Sequence, residues 1–180
     1  MIQLVPNNKK SPQIVNAIIE IPQGSHNKYE FDEELNVIKL DRVLHSPFFY
    51  PVDYGFIPET RAADGDHMDI MVITDSPVFP GCLMEARPIG LFIMADEKGD
   101  DEKVLAVPAK NPNFAHIKDV NDVSPHLLKS IVHFFSEYKR LEEKDVVIKG
   151  WRSLEDAYSM IEESSKTYQE EGEAISELKR

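Results

Sequence analysis

Short β-rich apolar runs, separated by stretches rich in Pro, Gly, Asn, Asp and Ser, recur through the first two thirds of this chain, and helical periodicity sets in only after Ser124. Ile14-Val15-Asn16-Ala17-Ile18-Ile19-Glu20-Ile21 stops at Pro22 and Gly24, and Tyr29-Glu30-Phe31 precedes the turn-forming Asp32-Glu33-Glu34-Leu35-Asn36. Val37 to Leu40, Ile70 to Thr74, Leu83 to Met94 (broken by Pro88 and Gly90), Val104 to Val107 and Val146 to Lys149 are further strand candidates. Branched and aromatic side chains suit a pleated, half-buried surface and Gly and Pro interrupt it, so this spacing predicts an all-β core. Ser124-Pro125 then reads as a cap followed by proline in the first helical turn, and Leu128, Ile131, Val132, Phe135, Tyr138 and Leu141 recur at helical spacing. A helix from about Pro125 to Glu142 is expected. Ser153 caps a second helix, with Leu154, Ala157, Tyr158 and Ile161 on one stripe and Glu155 and Asp156 in the favourable first turn.

A chain of 180 residues is long enough for one domain with its own core and short for two, so residues 1–180 are read as a single domain. Its charged end, from about residue 170 to 180, is expected to fray. The formal charge of −12 repels a phosphate backbone, which argues against nucleic acid as a partner. The longest run without Asp, Glu, Lys or Arg is ten residues, Val43 to Val52, about half of what a bilayer span requires. No membrane segment is expected. Lys9 and Lys10 precede no apolar stretch of signal type, and Cys82 is the only cysteine, so the expected location is the cytoplasm.

The chemistry-bearing feature is Asp64-Gly65-Asp66-His67-Met68-Asp69, three carboxylates within six positions directly before an apolar strand. Hard divalent cations need several oxygen ligands, and a turn at Gly65 can aim carboxylates at one site. An EF-hand loop is excluded, because it requires Gly where Asp69 stands and Glu where Asp75 stands. A second acidic stretch, Asp96-Glu97-Lys98-Gly99-Asp100-Asp101-Glu102-Lys103, also lies between two strand candidates. Two acidic loops at strand ends could share several metal ions, the arrangement two-metal hydrolysis uses. Lys28, Arg42, Tyr50, Tyr54 and Tyr138-Lys139 are candidate anion binders around them.

The order of these motifs resembles the soluble family I inorganic pyrophosphatases. The matching words include Ile18-Ile19-Glu20-Ile21-Pro22, Lys28-Tyr29-Glu30, Asp41-Arg42, Phe49-Tyr50-Pro51-Val52-Asp53-Tyr54-Gly55-Phe56-Ile57-Pro58, Asp64-Gly65-Asp66-His67-Met68-Asp69-Ile70, Asp96-Glu97, Asp101-Glu102-Lys103 and Tyr138-Lys139. They run in family order from about residue 14 to 152. One departure is His67, which stands where the family signature has proline and is expected to be a solvent-facing turn histidine.

The resemblance implies an α+β fold, a closed five-stranded OB-like β-barrel with flanking α-helices. It implies hydrolysis of pyrophosphate to two orthophosphates by water activated by several Mg2+ ions, with Mn2+, Co2+ or Zn2+ as possible substitutes. Asp64, Asp69, Asp96 and Asp101 would hold metal, Asp66 would be the catalytic base, and Lys28, Glu30, Arg42, Tyr54, Tyr138 and Lys139 would bind substrate. Glu20, Tyr50 and Lys103 would support them. A homohexamer is implied, and the apolar surplus of His133, Phe134 and Phe135 on the long helix is in keeping with it.

Overall fold

The structure is a computed structural model that describes residues 2, 5–97 and 99–178, with the backbone alone for 175–178. The first apolar run forms β1 (Val15–Ile21) and the next two runs form β2 (Asn27–Asp32) and β3 (Val37–Val43), which pair with each other as a separate hairpin. Then come β4 (Asp53–Ile57), β5 (Met68–Val72), β6 (Leu83–Asp96) and β7 (Gly99–Pro108), followed by α1 (Pro125–Glu137), β8 (Val147–Arg152) and α2 (Leu154–Leu178). The larger sheet has the order β1-β4-β5-β7-β6-β8. Within it β1 pairs antiparallel with β4 and also with β6, while β5 and β7 form the parallel pair. This is the mixed α+β architecture read from the chain.

Several elements differ from what local pattern indicates. No strand is expected at β4, because Gly55 sits at its centre and Pro51 and Pro58 flank it. All five residues of β4 are nevertheless buried. Gly55 is there because the neighbouring strand β1 approaches it too closely for a side chain: a Cβ at this position would lie 1.9 Å from the Ile18 carbonyl oxygen. β6 runs unbroken through Pro88 and Gly90, and absorbs them as a shift in its register with β7. The Ser124 side chain makes no cap bond, and α1 ends at Glu137, with Arg140–Glu142 forming a separate 3-10 turn that stops at Glu143 in the left-handed region, φ 57°. At α2 the cap is reciprocal: Asp156 N donates to Ser153 Oγ at 3.2 Å and Ser153 N to Asp156 Oδ2 at 3.0 Å. The charged end expected to fray from about residue 170 is helical as far as Leu178, and Lys179 and Arg180 lie outside the described residues.

Strand alternation divides the core in two. Ile70, Val72, Val104 and Ala106 pack with Ala157 and Ile161 of α2, whereas Met71, Leu105 and Val107 pack with Ile131, Phe134 and Phe135 of α1. Asp69 shares the parity of Met71, and Asp101 and Lys103 that of Leu105, so all three charged residues fall on the α1 side. Phe134 and Phe135 are both buried there, which corrects the expectation that they leave α1 with surplus apolar surface. Burial of each is worth about 1.5–3 kcal/mol to the fold itself.

Candidate active site

Asp69 stands opposite Lys103 in the β5–β7 register, and Asp101 lies two residues earlier on the same face of β7. Lys103 is 1% exposed, yet its Nζ donates to Asp69 Oδ2 at 2.6 Å, to Asp101 Oδ1 at 2.6 Å and to the Tyr54 hydroxyl at 2.9 Å. Burial alone would lower its pKa, but the carboxylates of Asp69 and Asp101 outweigh that and hold the ammonium well above the ordinary lysine value. It stays charged. The Tyr54 hydroxyl donates to Asp69 Oδ2, and burial together with Asp69 pushes it far above its ordinary value, so it remains a neutral donor. Lys103 is thus the fixed point of the site, a cation that two acids and a phenol share.

Other elements converge on this point. Asp96, at the end of β6, accepts from Lys139 Nζ at 2.7 Å just beyond α1. Burial opposes charge on Lys139, but Tyr138 and Asp96 raise its pKa, while burial raises that of Tyr138. The β2–β3 hairpin pairs Lys28 with Arg42 in register, and Lys28 Nζ reaches Glu30 and, at 3.4 Å, Asp41. Arg42 is anchored by Glu142 at 3.0 Å and by Asp41. Glu20 is buried behind the hairpin, accepts from Phe31 N at 2.6 Å, and is pushed up to about 8 by burial.

The Asp64–Asp69 loop is closed by its own backbone. Ala62 N donates to Asp66 O at 2.8 Å, Gly65 N to Ala62 O at 3.1 Å, and Asp66 N to Asp64 Oδ1 at 3.1 Å. Gly65 has φ 91°, a conformation that glycine adopts without strain. Buried Thr60 ties down the C-terminal end of the loop, its Oγ1 accepting from Met68 N at 2.9 Å. His67 is not the solvent-facing residue expected. Its ring stacks on Phe56 at 4.9 Å and 10°, its Nδ1 lies 2.9 Å from Thr60 O, and its Nε2 lies 3.2 Å from Glu33 Oε1.

Together these residues line a cleft of about 400 Å3, which includes Asp64, Asp66, Asp69, Asp96 and Asp101 on its acidic side. Lys28, Glu30, Arg42, Tyr54, Tyr138, Lys139, Glu20 and Lys103 also line it, whereas Tyr50 does not. Tyr50 is buried behind the cleft, its ring 5.7 Å from that of Tyr54 and 4.8 Å from that of Phe134. Local pattern left five charged lining residues without a role: Glu33, Glu97, Asp100, Glu102 and Lys144. Glu97, Asp100 and Glu102 belong to the acidic stretch already singled out, but nothing in the chain around Lys144 signals its ion pair with Glu97 at 3.1 Å.

An all-oxygen donor set of this kind fits hard divalent cations rather than soft ones. Among the described residues no three His, Cys, Asp or Glu side chains converge on a common point, and ammonium groups lie against Asp69, Asp101 and Asp96. Phosphate oxygens would meet cations in the same cleft, at Lys28, Arg42 and Lys139.

Comparison with known proteins agrees with this geometry. Residues 17–169 match the family model described as inorganic pyrophosphatase. The chain is 52% identical over 159 residues to an inorganic pyrophosphatase of Methanosarcina mazei, covering 88% of this chain and 94% of that protein. It is 52% identical over 157 residues to one from a Nostoc species, covering 87% and 93%. A crystal structure of inorganic pyrophosphatase from Thermus thermophilus superimposes with a TM-score of 0.91 at 43% identity, covering 93% of this chain and 98% of that one.

Proposed function

This chain belongs to the inorganic pyrophosphatase family and hydrolyses pyrophosphate to two phosphates, and we propose that it does so with magnesium in the acidic cleft. The observation that carries this reading is the cleft itself, which gathers Asp64, Asp66, Asp69, Asp96 and Asp101 with Lys28, Arg42 and Lys139. Asp64, Asp69 and Asp101 would hold the first ions, and Asp96 with Asp101 those that arrive with the substrate. Bound there, magnesium neutralises the anhydride's charge and makes water easier to ionise near pH 7. Mn2+, Co2+ and Zn2+ are the candidate substitutes.

The chain's own groups do the rest. Asp66 takes the proton of the attacking water. Lys28, Arg42 and Lys139 bind phosphate oxygens as cations, and Tyr54 and Tyr138 as neutral hydroxyl donors, so that leaving-group charge is offset as it forms. Glu30 orients Lys28, and Lys103 keeps the Asp69 and Asp101 carboxylates in place. Glu20 steadies the hairpin through Phe31 N, and Tyr50 backs the Tyr54 ring. The fold is a closed five-stranded OB-like barrel forming one domain over residues 1–180. The ladder β1-β4-β5-β7-β6 together with the β1–β6 pairing supports that reading.

We place the enzyme in the cytoplasm as a homohexamer. No helix among the described residues is long and apolar enough to cross a membrane. Exposed Leu35, Val37, Leu40, Phe49 and Phe79 supply apolar surface for association. Light scattering that returned a monomer at micromolar concentration would remove the hexamer.

The deciding assay compares phosphate release from pyrophosphate and from ATP, in magnesium and in EDTA. Release from pyrophosphate that stops in EDTA, with ATP left intact in magnesium, is the expected result. Release that persists in EDTA would overturn the magnesium reading.

A further inference from the structure

Arg61 stands just outside the acidic loop and makes contacts that the reaction described above does not use. Its Nη1 donates to the Gly65 carbonyl at 2.5 Å, and its Nε to Glu171 Oε2 of α2 at 2.9 Å. Its guanidinium carbon lies 5.5 Å from the centre of the Tyr168 ring, also on α2. Its backbone N donates to Ser164, to the carbonyl at 2.9 Å and to Oγ at 3.0 Å. Tyr168 reaches the other end of the loop as well, its ring 6.0 Å from that of His67. Ser164, Tyr168 and Glu171 are spaced four and three residues apart, so they stack on one face of the helix.

We propose that Arg61 is a positioning residue, through which the C-terminal half of α2 holds the Asp64–Asp69 loop in the conformation that binds magnesium. The proposal rests on the reading of that loop as the metal-holding one. An exposed Arg–Glu pair alone is worth little, but this arginine also grips the loop at its softest point. Gly65 joins Asp64 to Asp66 in the left-handed region, where no Cβ restrains the peptide. Fixing its carbonyl fixes the plane of the peptide that leads into Asp66. A planar guanidinium can bond the Gly65 carbonyl and Glu171 on two sides while lying against Tyr168, which a lysine ammonium cannot do. The helix is itself anchored by Ala157 and Ile161 in the core beneath β5, so the clamp ties the loop to a rigid body.

The test measures pyrophosphate hydrolysis by the full chain as a function of magnesium, for wild type, Arg61→Ala, Arg61→Lys, Glu171→Gln and Asp69→Asn, with unfolding temperature in EDTA recorded beside it. Arg61→Ala should raise the half-saturating magnesium concentration by about tenfold while the rate at saturating magnesium is largely kept, the size typical of losing support behind a metal site. Arg61→Lys should fall between it and wild type, and Glu171→Gln should give about a threefold rise, the worth of one exposed pair. If Arg61→Ala and Glu171→Gln lower only the unfolding temperature while Asp69→Asn shifts the magnesium requirement, the clamp is purely structural and the proposal fails alone. If Asp69→Asn shifts nothing either, the metal reading of the loop fails and takes the clamp with it. Should circular dichroism show Arg61→Ala unfolded, Glu171→Gln decides the matter by the same criterion.

Discussion

Asp69 and Lys103 face each other across the parallel β5–β7 pair, and the buried Lys103 ammonium bridges Asp69 Oδ2 and Asp101 Oδ1 at 2.6 Å each. Two acidic segments of the chain are therefore joined at their strand residues by a single ammonium nitrogen. Lys103→Met keeps the length and removes the charge, leaving two carboxylates without their shared partner. Unpairing a buried charge costs 3–5 kcal/mol, and the partial exposure of both aspartates places this case near the lower end, about 3 kcal/mol. Urea unfolding in EDTA should show that loss, and added magnesium should stabilise the variant more than wild type because cations can replace the ammonium. Equal stabilisation of both proteins would show that Lys103 and the metals do not share the same carboxylates.

Asp66→Asn preserves shape and removes the proton acceptor. With Asp64 and Asp69 intact, magnesium should still bind while the rate falls by 10² to 10⁴, the usual worth of a general base. The deficit should shrink at high pH, where water needs less help to lose its proton. Asp64→Asn and Asp69→Asn should behave in the opposite way, recovering part of their rates with added magnesium. Rates measured against pH and magnesium separate the two behaviours, and magnesium rescue of Asp66→Asn without pH rescue would make Asp66 another metal ligand.

Glu20 links stability to pH. Burial pushes its carboxyl up to about 8 in the folded chain, from an ordinary value of 4.5. Between those values the folded state holds a proton that the unfolded state has released, so stability falls as pH rises from 4.5 to 8 and levels off above. The slope from this one group is at most about 1.4 kcal/mol per pH unit. Glu20→Gln, neutral throughout, should gain stability relative to wild type across that window when urea midpoints are compared in EDTA. Parallel curves for the two proteins would mean that Glu20 is ionised in the folded state.

Much of this molecule is legible locally. Runs such as Ile14–Ile21 and the periodic stretch after Pro125 carry their own pattern, because alternation and helical spacing are properties of neighbouring residues. The acidic loop is legible for the same reason, its three aspartates sitting within six positions. β4 is not. Gly55 and the flanking prolines read as breakers, and only the close approach of β1 to Gly55 explains why a strand there lacks a side chain. The end of α1 is likewise decided by contacts at its terminus, where Tyr138 is buried and Lys139 reaches Asp96.

What the amino-acid order determined by itself is the inventory: strands before helices, two acidic loops at strand ends, a set of cations and tyrosines, and the family to which their order belongs. The tertiary structure decided which of these residues meet. The β5–β7 register sets Lys103 against Asp69, the burial of Phe134 and Phe135 commits α1 to the core, and the stack on Phe56 leaves His67 half-buried. The reach of α2 back to Arg61 also belongs here, since Arg61 and Glu171 lie 110 residues apart. Pattern along a chain reports forces between neighbours, whereas these contacts form only once burial of the two core faces has fixed how strands and helices lie together.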